Sequence, residues 1–184
     1  MIATVLSAQT TDASVNRVTP ALFAQYPTSA AMARALVRQT GFFHLKARRI
    51  REISRMIETD FSGRVPDTME DLLKLPGVGR KTANIVLSAG FGKIEGIAVD
   101  THVFRLSRRI GLSDKDTPDK VEEDLMAITP DTEWARLAVL LILHGRTVCL
   151  ARKPDCEKCA LLSKCLYYAT TRGKRAISKP SIRE

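Results

Sequence analysis

Apolar residues recur along this chain at intervals of three and four, and no run shows the strict alternation of a half-buried strand, so the pattern predicts a protein built from helices. Over residues 45–59, Leu45, Ile50, Ile53, Met56 and Ile57 share one stripe while Arg48, Arg49, Arg51 and Arg55 lie elsewhere, and Gly63 follows as a stop signal. That segment reads as a helix with a basic outer face. Thr28 or Ser29 caps a helix through Leu36. Asp67 or Thr68 caps another that carries Met69, Leu72, Leu73 and Leu75, and Asp100 or Thr101 caps a third ahead of Val103, Leu106 and Ile110. In each case a side-chain oxygen satisfies first-turn N–H groups that have no acceptor of their own. Later helices are predicted over residues 120–128 and 133–144, with Trp134 and the run 137–143 taken as core. The stretch 170–184 lacks apolar periodicity and reads as a mobile tail. No internal repeat interrupts the series, and the fold class is all-α.

Composition narrows the picture. A chain of 184 residues, 45% hydrophobic and 27% charged, is long enough for one large domain or two small ones and excludes collagen-like, mucin-like and wholly disordered readings. The uncharged stretch 18–33 is broken by Pro20 and Pro27, so it is no bilayer span, and no membrane partner is expected. The first residues, Met1-Ile2-Ala3-Thr4-Val5-Leu6, carry no basic stretch ahead of their short apolar run, which points away from a secretory signal and toward a cytoplasmic protein. The net charge of +9 is unevenly placed: residues 34–55 hold seven basic residues against one acid, and residues from Arg146 onward hold ten against three. Residues 114–124 hold six acids and two lysines. Such segregation is the footprint of a polyanion binder, although a solvated basic surface has the same composition.

Chemistry concentrates first in Leu75-Pro76-Gly77-Val78-Gly79-Arg80-Lys81-Thr82-Ala83-Asn84, between two predicted helices. Gly77 and Gly79 permit backbone angles that other residues resist, and Pro76 stops the first helix, which makes a tight helix–hairpin–helix. N–H groups at the turn, together with the helix dipole, form a phosphate site that grips DNA without reading its sequence. Lys81 falls in the first turn of the second helix, where the dipole, nearby Arg80 and partial burial disfavour the ammonium form. A neutral amine there can attack C1′ of a deoxyribose and displace the base, leaving a Schiff base, whereas an isolated hairpin would use the same lysine simply to hold phosphate. Nineteen residues on, Ile97-Ala98-Val99-Asp100-Thr101-His102 puts an acid after an apolar approach, at the edge of a core. Asp100 taken alone is a helix cap. Paired with Lys81, it can hold or deprotonate the amine and stabilise charge on the departing sugar. His102 reads as structural.

All four cysteines lie in Cys149-x6-Cys156-x2-Cys159-x5-Cys165. Clustering of the whole set argues for a shared ligand, and paired disulfides fit a cytoplasmic protein poorly. Zinc and an iron–sulfur cluster remain. Only one Cys-x2-Cys knuckle is present, and spacings of six and five suit a chain wrapping a larger object, which favours a [4Fe–4S] cluster over zinc. The loop between Cys149 and Cys156 would then present Arg152 and Lys153 as a rigid basic pair to a phosphate backbone.

With these residues in hand, the chain resembles the endonuclease III family of helix–hairpin–helix DNA glycosylases/AP lyases. The resemblance runs from Leu6-Ser7-Ala8-Gln9-Thr10-Thr11-Asp12 through Leu143-His144-Gly145-Arg146 to Cys165. It implies two lobes: residues 1–94 as a six-helix barrel carrying the hairpin, and residues 95–184 as an iron–sulfur lobe with a basic tail. It further implies Lys81 as the Schiff-base nucleophile, Asp100 as the catalytic aspartate, and Cys149, Cys156, Cys159 and Cys165 as cluster ligands. Gly77, Gly79, Arg80, Arg152 and Lys153 would contact DNA. The implied partner is damaged double-stranded DNA, bound by a monomer in the bacterial nucleoid, with an oxidised or fragmented pyrimidine flipped into a cleft. Gln9 and Phe42 align with the side chains that fill the vacated space; Phe42 stands where the family often has leucine, a larger wedge. The family also carries about one more helix before the Ser-Ala-Gln segment, which leads us to expect uncovered apolar surface on the cluster lobe and marginal stability. The alternatives are a monofunctional mismatch glycosylase, which typically lacks the hairpin lysine, and a non-catalytic DNA-binding module with structural zinc.

Overall fold

Helices make up every regular element among the described residues, which are 1–7, 12–33 and 43–177 of the computed structural model. The chain divides into two units, Met1–Glu95 and Gly96–Glu184.

The first unit holds α1 (Ile2–Leu6), α2 (Asp12–Gln25), α3 (Ser29–Ala33), α4 (Phe43–Asp60), α5 (Met69–Lys74) and α6 (Arg80–Phe91). On α4 the predicted stripe is the buried one, with Ile50, Ile53 and Ile57 in the core and Arg48, Arg51 and Arg55 exposed. Each such isoleucine contributes about 2 kcal/mol by leaving water. One core joins Val5, Ile53, Leu72, Leu75, Val78 and Leu87; a second joins Leu6, Val15, Met32 and Ile50. Two caps fall to one of the candidate pairs: Thr28 Oγ1 accepts from Ala31 N at 3.1 Å and Thr68 Oγ1 from Asp71 N at 3.3 Å. The proline in α2 is a surprise for a breaker-based reading. The helix continues through Pro20 because Val15 and Leu22 on either side both pack against the second core.

The second unit holds α7 (Thr101–Ile110), α8 (Pro118–Ile128), α9 (Trp134–Thr147) and α10 (Leu166–Ile177), with 3-10 turns at Asp131–Glu133, Cys156–Lys158 and Leu162–Lys164. Ile97, Val99, Val103, Leu106, Leu125 and Leu141 form its core. One expectation needs correcting. The run 137–143 is only partly core: Ala138 and Leu141 are buried, but Val139, Leu140 and Leu143 are more than half exposed. One helical stripe faces α7 and the other is left bare. Residues 170–177 of the expected tail fall within α10, where the hydroxyls of Thr170 and Thr171 donate to the carbonyls of Leu166 and Tyr167 at 3.0 and 2.7 Å. No helix among the described residues is long and apolar enough to cross a membrane.

Candidate nucleic-acid interface

The hairpin is built from a helix that must stop and a helix that must start. α5 ends at Leu75 in extended backbone, as the residue before a proline prefers, and Val78 N donates to Leu75 O at 3.1 Å to close the turn. Val78 is buried and roots the turn in the core. Gly77 has φ +77°, and a Cβ there would lie 3.0 Å from Arg49 Cδ, so the arginine of α4 lies over the turn. Gly79 caps α6, with Ala83 N donating to its carbonyl at 3.0 Å. In that first turn the N–H groups of Lys81 and Thr82 have no carbonyl a turn behind them. A Cβ at Gly79 would meet nothing within 4 Å, and its φ of −101° suits any residue, so the protein's own packing does not demand glycine there. The open side of the turn is where an outside group can approach the backbone.

Lys81 sits in the first turn of α6, but it is exposed rather than partly buried. α6 turns Ala83, Val86 and Leu87 to the core, and position 81 falls off that stripe. Gln9 and Phe42 lie outside the described residues.

In the second unit Asp100 is half-buried after buried Ile97 and Val99 and caps α7. Its Oδ1 accepts from His102 N and Val103 N, both at 2.8 Å, which leaves Oδ2 out of the cap. The simple capping role and a free carboxylate oxygen therefore coexist in one side chain.

The four cysteines line one pocket, walled by apolar groups such as Ile110, Val148 and Leu162. Burial, and then the neighbouring Cys149, Cys165 and Cys159, push the Cys156 thiol up from its ordinary pKa, while Arg109 opposes the rise. Among the described residues no group of three or more His, Cys, Asp or Glu is arranged so that it could hold a metal ion. Around the thiols stand residues that sequence patterns did not single out. His144 Nε2 lies 3.4 Å from Cys159 Sγ, Arg109 Nη1 donates to Cys149 Sγ at 3.4 Å, and Cys165 Sγ donates to Arg109 O at 3.4 Å. Arg105 Nη2 lies 3.2 Å from His102 Nδ1 and donates to Gly145 O and Cys149 O, both at 3.0 Å, ending α9 and fixing the first cysteine. Arg152 and Lys153 are both exposed on the loop that follows.

Gly145 explains how α7 and α9 come so close. A Cβ at that position would lie 2.9 Å from His102 Nδ1 and 3.0 Å from Arg105 Nη2. Arg105 is held by two carbonyls and cannot yield freely. Gly145→Ala should therefore destabilise the protein by about 1–3 kcal/mol. Chemical denaturation checks this, and an unchanged midpoint would mean that both side chains give way.

The comparisons with known proteins fit this arrangement. Residues 2–131 match the model of the HhH-GPD superfamily of base excision DNA repair proteins. Endonuclease III of Synechocystis sp. is 49% identical over 172 residues, covering 90% of this chain and 78% of that protein. Endonuclease III of Rickettsia conorii is 45% identical over 176 residues, covering 91% and 83%. A solved structure of a trapped endonuclease III–DNA covalent intermediate superposes with a TM-score of 0.85 at 42% identity, covering 93% of this chain and 84% of that one. The chain belongs to the endonuclease III family of helix–hairpin–helix DNA glycosylases/AP lyases.

Proposed function

We propose that this chain is a bifunctional DNA glycosylase/AP lyase of base excision repair that removes oxidised or fragmented pyrimidines from double-stranded DNA. The observation that carries the reading is an exposed lysine in the first turn of the helix behind an open glycine hairpin. A 42% identical relative trapped in a covalent complex with DNA supports a nucleophile of this kind. In the proposed sequence, Gly77, Gly79 and Arg80 grip a phosphate while the damaged base is flipped out, with Gln9 and Phe42 filling the gap. Lys81 Nζ then attacks C1′. The N-glycosidic bond breaks, its electron pair leaves with the base and the base takes up a proton; Nζ then gives up a proton, the C1′–O4′ bond opens with O4′ taking a proton, and C1′ is left as an imine to Nζ. Loss of a C2′ proton and departure of the 3′ phosphate complete β-elimination. Asp100, through its uncommitted Oδ2, takes the lysine proton or offsets the positive charge on the sugar. The protein acts as a monomer at the bacterial nucleoid.

Cys149, Cys156, Cys159 and Cys165 are proposed to hold a [4Fe–4S] cluster. Four thiols around one apolar pocket supply the four soft sulfur ligands that such a cluster takes. When bound, the cluster supplies a cross-link that fixes the loop bearing Arg152 and Lys153.

Borohydride trapping on duplex DNA with one abasic site tests the reading, since only an imine is reduced to a permanent cross-link. Bound protein without a cross-link would leave a DNA-binding module. The hairpin has its own test. Gly79→Ala should change stability by less than about 1 kcal/mol, because only a cap preference is at stake and the added methyl meets no protein atom. Affinity for abasic duplex should still fall about tenfold or more, because the methyl stands where a phosphate must come close to the backbone. Equal affinity in a binding titration would place the phosphate elsewhere.

A further inference from the structure

We propose that Arg109 is the positioning residue that fixes the first arm of the Cys149–Cys156 loop, and so sets where Arg152 and Lys153 stand. Arg109 occupies the last turn of α7. Its Nη1 donates to Leu150 O and its Nη2 to Ala151 O, both at 2.8 Å, while Nη1 also reaches Cys149 Sγ at 3.4 Å. The guanidinium packs against the Tyr167 ring, 4.7 Å from its centroid, which orients the plane of the fork. Three successive residues, Cys149, Leu150 and Ala151, are thus held by one side chain, and the exposed basic pair begins at the next position.

The other restraints on that arm stop short of Ala151: Arg105 holds Cys149 O at 3.0 Å, and Leu150 N donates to Val148 O at 3.0 Å. Asp155 N donates to Val148 O at 2.9 Å and closes the neck, and Lys158 pairs with Asp155 at 3.0 Å on the far side. Leu150 is exposed, so burial does not hold the arm. A cation beside two further cations is unfavourable unless something fixes it. Here charge-assisted bonds to two carbonyls do so, and a planar fork can make both at once where a lysine ammonium cannot. A freed arm would let Arg152 and Lys153 sample many positions, and each phosphate contact would then cost ordering entropy.

The anchoring stands on geometry alone; its consequence for DNA rests on the function proposed above. Arg109→Lys keeps the charge and removes the fork, and Arg109→Gln removes the charge as well. In the metal-loaded protein without DNA, amide hydrogen exchange at Leu150 and Asp155, whose N–H groups both donate to Val148 O, should become about tenfold faster in both variants, while Val103 and Leu106 within α7 exchange as before. Unchanged exchange at Leu150 and Asp155 overturns the proposal, and faster exchange throughout α7 assigns Arg109 a general structural role instead. With abasic duplex, either variant should lose about 5- to 30-fold in affinity. The slope of log K against log salt should shrink toward that of an Arg152→Ala/Lys153→Ala protein, about 1.8 units for two phosphates. Added to that double variant, Arg109→Lys should cause no further loss. A fully additive loss would mean that Arg109 touches the DNA itself, which also overturns the proposal. If the unaltered chain fails to bind duplex, the function reading fails, and the exchange result still decides the anchor.

Discussion

Lys81→Gln should abolish strand cleavage and borohydride cross-linking while leaving binding to abasic duplex nearly intact. Glutamine keeps the length and polarity of the side chain but has no nucleophilic nitrogen, so no imine can form at C1′. Lys81 is exposed and lies off the buried stripe of α6, so the substitution removes no packing and the fold should persist. Loss of the nucleophile should lower the cleavage rate at least about 10³-fold, or about 4 kcal/mol of transition-state stabilisation. Loss of one exposed charge should cost at most a few-fold in affinity and reduce the salt slope by about one phosphate contact. Single-turnover cleavage and a parallel binding titration separate the two. Cleavage at the parent rate would remove Lys81 from the mechanism; equal losses of binding and cleavage would return it to the phosphate-holding role that a lone hairpin lysine has. Asp100→Asn is the companion variant. It keeps an oxygen able to cap His102 N and Val103 N, so a fall in cleavage without a fall in stability would trace to the charge and not to the cap.

The features legible in the sequence were those set by local chemistry. The stripe of α4, the caps at Thr28, Thr68 and Asp100 and the hairpin between α5 and α6 each follow from residues within a few positions of one another. The clustered cysteines were legible for the same reason. Illegible were the features that depend on what lies across the fold. Nothing in the order of residues says that Arg105 and Arg109, one turn apart on α7, reach residues some forty positions later. Nothing there says that Gly145 is small to admit His102 and Arg105, or that Arg49 covers Gly77. The spacing of two arginines at i and i+4 on one helix face ahead of a cysteine cluster is the signal that could have found the first pair. Lys81 failed in the opposite sense: its place in the helix was readable, but its exposure depends on which face of α6 the rest of the unit covers. The exposed half of α9 has the same origin, since an apolar run announces a core only when something packs on both of its stripes.

Cys156→Ser should empty the thiol-lined cavity of metal and unfasten residues 149–165. Apart from the bonds of Arg105 and Arg109 to residues 149–151, little else holds that segment. Neither of its 3-10 turns contains a buried residue, Leu150 and Leu161 are exposed, and its backbone bonds are mostly local ones such as Cys159 N to Cys156 O at 3.1 Å and Lys164 N to Leu161 O at 3.0 Å. Without metal, burial and the other three cysteines push the Cys156 thiol up from its ordinary pKa, which disfavours the thiolate that a metal would hold. The unaltered protein should therefore purify with about four irons and four sulfides per chain and a broad visible absorption, against which stoichiometric zinc would be the contrary result. The variant should lose that absorption, become sensitive to protease between residues 149 and 165, and bind abasic duplex at least about 30-fold more weakly, because Arg152 and Lys153 no longer stand on a fixed loop. The core of the first unit shares no residue with this segment, so its amides should keep their protection. Retained DNA affinity after loss of the metal would show that the loop holds its shape through Arg105 and Arg109 alone, and the cluster would then have to be assigned some purpose other than fastening.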